Sequence, residues 1–509
     1  MNDWTLASLA EAIRARKISP LEVTRVCLDR IARLDRHLRS FITVDAEAAL
    51  RASRQLEAEA MAGRWRGPLH GVPLAYKDLC HVPGLPTSCG TRTAEYFTGE
   101  VECTAVSRLT AAGAITLGKL NMTELALGPF GENAHHGDVQ NPWRPGHVSG
   151  GSSSGSGAAV AAGLAFGALG SDTGGSIRLP SAACGIVGLK PTYGRVSRAG
   201  AMPLSWSLDH LGPMTRTVRD AAIMLGIMAG HDPRDATTSR RPVPGDLATL
   251  DAPVRGLRIG VPENYYFDGV TAEIERGVRD ATRAMQGLGA TVQAITVPDP
   301  AILHGLGNVI ARSESAVIHE RLVRERPHEL QPAVRARLEV GFHISAHDYL
   351  QASRLRARLT RQFVAAVFAE VDVVVVPTIP EPAPDLARTK AGSVEEFVAR
   401  MGRFSRLTRP FNVLGLPALS VPCGFSEAGL PLALQIVGRP FDEPTVLRLG
   451  HAYQQATDWH TRRPQLDMGG LDGPPMPPDA RRRPGQAGAP LGSGELNVRG
   501  LEGPLIPPA

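Results

Sequence analysis

"GHVSGGSSSGSG", residues Gly146–Gly157, admits two opposed readings that lead to different folds. As a Gly/Ser linker it is solvated chain between domains. As Gly-x-Ser-x-Gly, with Ser153 at the centre of Gly151–Gly155, it is a nucleophile elbow, which needs an apolar strand directly upstream to aim the serine. The upstream residues, "DVQNPWRPGHVSG" from Asp138, carry two prolines where that strand should be. The context that an elbow at Ser153 requires is missing.

Downstream, "AAVAAGLAFGALG" from Ala158 is too short and too rich in Ala and Gly to span a bilayer, and it reads as a helix over Ala158–Leu169. It leads to a second Ser/Gly segment, "GSDTGGSIRLPSAACGIVGLKPTYGRVS" from Gly170. Within Asp172–Ser176, two adjacent glycines allow consecutive N–H groups to turn towards an anion. Such a nest beside a serine suits an oxyanion hole. A serine hydroxyl also needs a base. Neither segment offers a histidine except His147, but Lys77 ends the strand-like run "GVPLAYKDL", where a lysine is carried inward and burial can hold it neutral. Pairing of Lys77 with Asp78 is the alternative.

Further out, residues 5–60 carry apolar residues at helical spacing, with Leu6, Leu9, Ile13, Val23, Cys27, Ile31 and Leu34 on the apolar stripe. Ser19, Pro20 and Glu22 form a helix-start signature. "AITLGKLN", "GLRIGVPENY" and "DVVVVPTIP" read as strands, with the apolar runs "LRIGV" and "DVVVV" buried on both faces. The alternation predicts an α/β fold, a large mixed twisted central β-sheet with helices on both faces. Residues 300–370 are helix-rich, and residues 465–509, dominated by Pro and Gly, are expected to be a disordered tail.

The 509 residues carry 55 basic and 50 acidic side chains, with aromatics at 5%. That balance lacks the clustered basic and aromatic surface of a nucleic-acid binder. Six scattered cysteines form no Cys-x-x-Cys pair, and no His cluster with zinc-finger spacing accompanies them. Reduced thiols, no metal, no cofactor, no membrane contact and a cytoplasmic setting are expected, with a homodimer as the default assembly.

"GVPLAYKD" (71–78), "GGSSSGSG" (150–157) and the segment from Gly170 together resemble the amidase signature family of serine hydrolases. The likeness extends to "ISPLEVTRVCLDRIARLD", "SWSLDHLGPMTRTVRDAA", "RPFNVLGLPALSVPCGF" and "GLPLALQIVGRPFDE", covering residues 4–464 and marking 1–464 as one catalytic domain. The resemblance implies Ser176 as nucleophile, Ser152 as bridging serine after a non-prolyl cis peptide bond, and Lys77 as base. It implies an oxyanion hole from the backbone amides of Thr173, Gly174, Gly175 and Ser176. Asp172 and Arg178 would brace that loop, with Ser153 hydrogen-bonded within the triad.

Two departures stand out. Ser154 occupies a position where the family commonly has Gly. In "LALGPFGEN" (125–133), Pro129 and Phe130 replace small hydroxyl residues after Gly128 and, with Ala126, predict an apolar or aromatic acyl pocket. The expected activity is hydrolysis of a small-molecule amide, with esters and carbamates chemically adjacent. An alternative is the A subunit of a tRNA-dependent amidotransferase, a glutaminase. That polypeptide usually carries a Tyr-Asp-Gly motif, absent from "ARSESAVIHERLVRER" (311–326). A non-catalytic scaffold on the same fold would have lost Lys77, Ser152 or Ser176.

Overall fold

Four consecutive valines show how the chain builds its core. In the strand Val373–Pro377, Val373 and Val375 enter one apolar cluster while Val374 and Val376 enter another. Successive side chains of a strand point to opposite faces, so both faces of the sheet are covered. The computed structural model describes residues 4–97, 101–243 and 249–466, and from residue 467 the expected tail lies outside them.

Among the described residues the sheet has eleven strands: β1 (Phe41–Val44), β2 (Pro73–Lys77), β3 (Ile115–Leu120), β4 (Gly167–Ser171), β5 (Val187–Lys190), β6 (Leu211–Thr215), β7 (Arg258–Pro262), β8 (Thr291–Ile295), β9 (Val373–Pro377), β10 (Ala418–Phe425) and β11 (Pro431–Gly438). Their order is β1-β3-β2-β4-β6-β5-β10-β11-β9-β7-β8. Pairing is parallel for β3-β2-β4 and for β9-β7-β8, and antiparallel elsewhere, which makes the sheet mixed. Parallel β2 and β4 end side by side, so Lys77 and Ser171 emerge at the same edge.

The N-terminal periodicity resolves into helices Leu6–Arg14, Pro20–Leu38 and Ala46–Met61. Ser19 Oγ accepts from the Glu22 amide at 3.1 Å and Glu22 Oε2 accepts from the Ser19 amide at 2.8 Å, closing the capping box. The charged region after residue 300 forms helices Pro300–Ile318, Glu320–Glu325, Pro332–Gly341 and Ala346–Glu370. Among the described residues no helix is long and apolar enough to cross a membrane. All six cysteines are buried and unpaired.

The helix expected over Ala158–Leu169 is corrected. It runs Ser154–Ala161, and Gly167–Ser171 is strand β4. Gly163, at φ +65°, follows the end of the helix, and the small side chains beyond it let β4 lie between β2 and β6, a pairing that a one-dimensional pattern does not show. The opening of this helix presses on neighbouring backbone. A Cβ on Gly155 would stand 2.2 Å from Ser40 O and 2.6 Å from the amide N and the carbonyl O of Asn121. Gly155→Ala is expected to destabilise the fold by about 1–3 kcal/mol, read as a lowered thermal midpoint.

Candidate active site

Three lysines, Lys77, Lys119 and Lys190, are fully buried, and their partners separate them. Lys119 Nζ pairs with Asp78 Oδ1 at 3.1 Å. Lys190 Nζ donates to the backbone carbonyls of Leu416 and Pro191. Lys77 Nζ meets two serine hydroxyls, Ser152 Oγ at 2.7 Å and Ser171 Oγ at 2.8 Å. Asp78, the alternative partner for Lys77, is taken by Lys119 and by the Ser88 amide and hydroxyl. Burial pushes Lys77 down to about 7, against the weaker pull of Cys80, Asp172 and Asp209.

Ser152 and Ser153 are fully buried, and the Gly151–Ser152 peptide bond is cis. Close packing explains the glycines around them. A Cβ on Gly150 would lie 2.4 Å from Pro180 Cα, and one on Gly151 would lie 2.5 Å from Gly128 O. Ser153 Oγ bridges both backbone groups of Ser171 at 3.2 Å, and its amide donates to Ser176 O at 3.3 Å. The first Ser/Gly loop is thereby tied to the end of β4 and to the second loop.

The second loop is built around Asp172. Its carboxylate accepts from the amides of Gly175 (2.7 Å), Ile177 (3.1 Å) and Arg178 (3.4 Å), and from Arg178 Nε and Nη2 at 3.0 Å each. Burial opposes ionisation, but the Arg178 guanidinium outweighs it and holds the carboxyl well below the usual carboxylate range. Arg178 also donates to Thr408 O (3.0 Å), Gln435 Oε1 (2.8 Å) and Asn412 Oδ1 (2.7 Å). Gly175 has no alternative residue: its φ is +132°, and a Cβ would stand 2.2 Å from Thr408 Oγ1.

This bracing narrows the expected oxyanion donors. The Gly175 N–H is engaged by Asp172, whereas the amides of Thr173, Gly174 and Ser176 have no hydrogen bond among the described residues. Ser176 and Gly174 are the partly exposed residues of the loop, so its open face lies there. The Ser176 hydroxyl likewise makes no hydrogen bond among the described residues. Lys77 and Ser152 are thus brought together directly, and Ser176 is joined to them through the backbone bond to Ser153.

Ala126, Gly128, Pro129 and Phe130 all lie buried beside the first loop. The Phe130 ring packs against Phe404 and Phe397, with centroids at 5.2 and 5.8 Å. Sequence reading missed Ser171, the second partner of Lys77, and Thr408, Asn412 and Gln435, which hold Arg178. The last three lie in the segments 409–425 and 429–443 or beside them, where no titratable or nucleophilic signature drew attention. Among the described residues no group of three or more His, Cys, Asp or Glu is placed to hold a metal ion.

The family model described as Amidase matches residues 22–447. The chain is 41% identical over 490 residues to the A subunit of the glutamyl-tRNA(Gln) amidotransferase of Roseiflexus sp. (strain RS-1), covering 92% of this chain and 99% of that one. It superposes with a TM-score of 0.79 on native peptide amidase from Stenotrophomonas maltophilia, at 31% identity, covering 91% and 98% of the two chains. A chain from a vestigial protein complex described as revealing the evolutionary origins of an s-triazine catabolic enzyme gives a TM-score of 0.84 at 32% identity, covering 91% and 100%. By sequence match along most of its length and by fold, this chain belongs to the amidase signature family.

Proposed function

We propose that the chain hydrolyses the C–N bond of a small-molecule amide through an acyl-enzyme on Ser176. The observation that carries the reading is a buried, carboxylate-free Lys77 within hydrogen-bond reach of Ser152. Ser152 accepts and donates at once, so it passes the Ser176 proton to neutral Lys77 as Ser176 Oγ bonds to the carbonyl carbon. The amides of Thr173, Gly174 and Ser176 receive the charge that develops on oxygen. Collapse breaks the C–N bond and returns the proton to the leaving nitrogen. Water then attacks the acyl ester, releasing the acid and restoring the Ser176 hydroxyl. Esters and carbamates pass through the same tetrahedral state. The proposed setting is a reducing cytoplasm, which suits six buried thiols.

A second reading keeps this chemistry and changes what receives the nitrogen. The curated relatives favour it over a free-standing amidase, since they are amidotransferase A subunits matched over nearly their full length. In that case glutamine is the acyl donor and ammonia passes to a partner; the missing Tyr-Asp-Gly motif counts against it. The test is ammonia or amine release by the purified chain over a panel of amides, esters and carbamates. Turnover without tRNA, nucleotide or a second protein supports the first reading. Turnover confined to glutamine with a partner present supports the second.

Both readings predict one pH profile. Lysine accepts a proton only when neutral, so with Lys77 at about 7 the active fraction falls as pH drops through neutrality. The expected kcat/KM is near its plateau at pH 8 and about tenfold lower at pH 6. A flat profile between pH 6 and 9 contradicts Lys77 as base.

A further inference from the structure

A cavity of about 290 Å³ is lined by Ser171 and Thr173 together with Met202, Leu204, Trp206 and Asp209. Residues 204–210 thus face a void, where they gain no packing, and their position rests on their other contacts. Asp209 supplies the first of these. Its Oδ2 accepts from the amides of Leu204 at 2.8 Å and Ser205 at 2.9 Å, and its Oδ1 accepts from Thr173 Oγ1 at 2.5 Å. The backbones of Asp172 and His210 exchange hydrogen bonds of 2.8 and 3.1 Å. Residues 204–210 therefore grip Thr173, whose amide is one of the three free oxyanion donors.

Glu314 supplies the second. It stands on helix Pro300–Ile318, within the stretch 311–326 that lacks the Tyr-Asp-Gly motif. It is fully buried, and among the described residues it forms no ion pair with lysine or arginine. Its Oε2 accepts from Ser205 Oγ at 2.5 Å and from the Ser207 amide at 3.1 Å. Its Oε1 accepts from the Ser207 hydroxyl and from Tyr349 Oη at 2.9 Å, Tyr349 lying on helix Ala346–Glu370. Four donors fill the acceptor capacity of one carboxylate. Ser205 is the joint, with its hydroxyl on Glu314 and its amide on Asp209. A buried carboxylate without countercharge costs more than an apolar side chain of its size, so simple packing does not account for it.

We propose that Glu314 is a positioning residue for the oxyanion hole: through Ser205 and Asp209 it fixes where the Thr173 amide stands. Its catalytic consequence rests on the acyl-enzyme reading, and the mechanical link rests on hydrogen bonds alone. Displacing a catalytic group by about 1 Å costs roughly 100-fold in rate. An oxyanion donor acts on charge that develops in the transition state, so the loss falls on kcat and spares KM.

The experiment measures hydrolysis of p-nitrophenyl acetate by the full chain, alongside hydrogen–deuterium exchange. Glu314→Met keeps much of the volume and removes all four hydrogen bonds. Its kcat is expected to fall about 10- to 100-fold, with KM within about twofold of the parent's. In Glu314→Gln the Ser207 and Tyr349 hydroxyls can turn to accept from the new amide group, so most of that loss is recovered. Thr173→Val cuts the link at its far end. The double Glu314→Met/Thr173→Val variant is expected to lose no more than the worse of the two single variants. Exchange at the Asp172 and His210 amides quickens about tenfold in Glu314→Met, while β10 and β11 exchange as in the parent. Parent-like kcat in Glu314→Met, a loss that Glu314→Gln does not recover, additive losses in the double variant, or unchanged exchange at Asp172 and His210 overturns the positioning role. If Glu314→Met does not fold, Ser205→Ala takes its place in the same measurements, because it removes the hydroxyl on Glu314 and keeps the amide on Asp209. If the parent cleaves neither the ester nor any amide, the acyl-enzyme reading falls, and the exchange result alone decides the link from Glu314 to the loop.

Discussion

Ser176→Ala is expected to lower kcat by roughly 10⁴- to 10⁶-fold while leaving the melting temperature nearly unchanged. Its hydroxyl makes no hydrogen bond among the described residues and the residue is partly exposed, so the substitution removes one oxygen without opening a cavity or orphaning a buried group. The braces of the loop, Asp172 with Arg178 and Thr408 with Gly174, do not involve that oxygen. Residual turnover then reflects the oxyanion amides and substrate placement alone. Measured kcat alongside thermal unfolding separates this from misfolding. Activity at the original level in a folded Ser176→Ala protein refutes the nucleophile.

Arg178→Met is expected to produce the largest loss of stability, about 3–5 kcal/mol, enough to deplete folded protein in a domain of ordinary stability. Arg178 and Asp172 are both fully buried, and the guanidinium serves Asp172, Thr408, Gln435 and Asn412 together. Methionine fills comparable volume and leaves the Asp172 carboxylate with its amide donors and Asn412, but without its countercharge. An uncompensated buried charge is what makes breaking such a pair costly. Thermal or denaturant unfolding measures it. An Arg178→Met protein that melts like the parent shows that the amide donors suffice and that Arg178 does not hold the loop.

Much of the fold was legible because it rests on local signals. The capping box at Ser19 and Glu22 and the valine run of β9 are each written within a few residues. The short β1 was missed because four residues give too little periodicity, and β4 because its small residues read equally well as helix. At the site, Lys77, Ser152, Ser176, Asp172 and Arg178 were picked out by motif. Thr408, Asn412 and Gln435 were not, since they reach Arg178 from 230 or more positions along the chain and carry no charge. The surroundings of Phe130, from which an apolar acyl pocket is expected, come from segments far along the chain. Its ring lies against Phe404 and Phe397.

The sequence by itself determined the α/β class, the two Ser/Gly loops and the lysine that could serve them, because each depends on residue types at short range. The tertiary structure decided which of three buried lysines meets a serine and which loop amides stay free once Asp172 has taken Gly175. Those outcomes depend on distances between segments far apart in the chain, and electrostatics and packing act through distance.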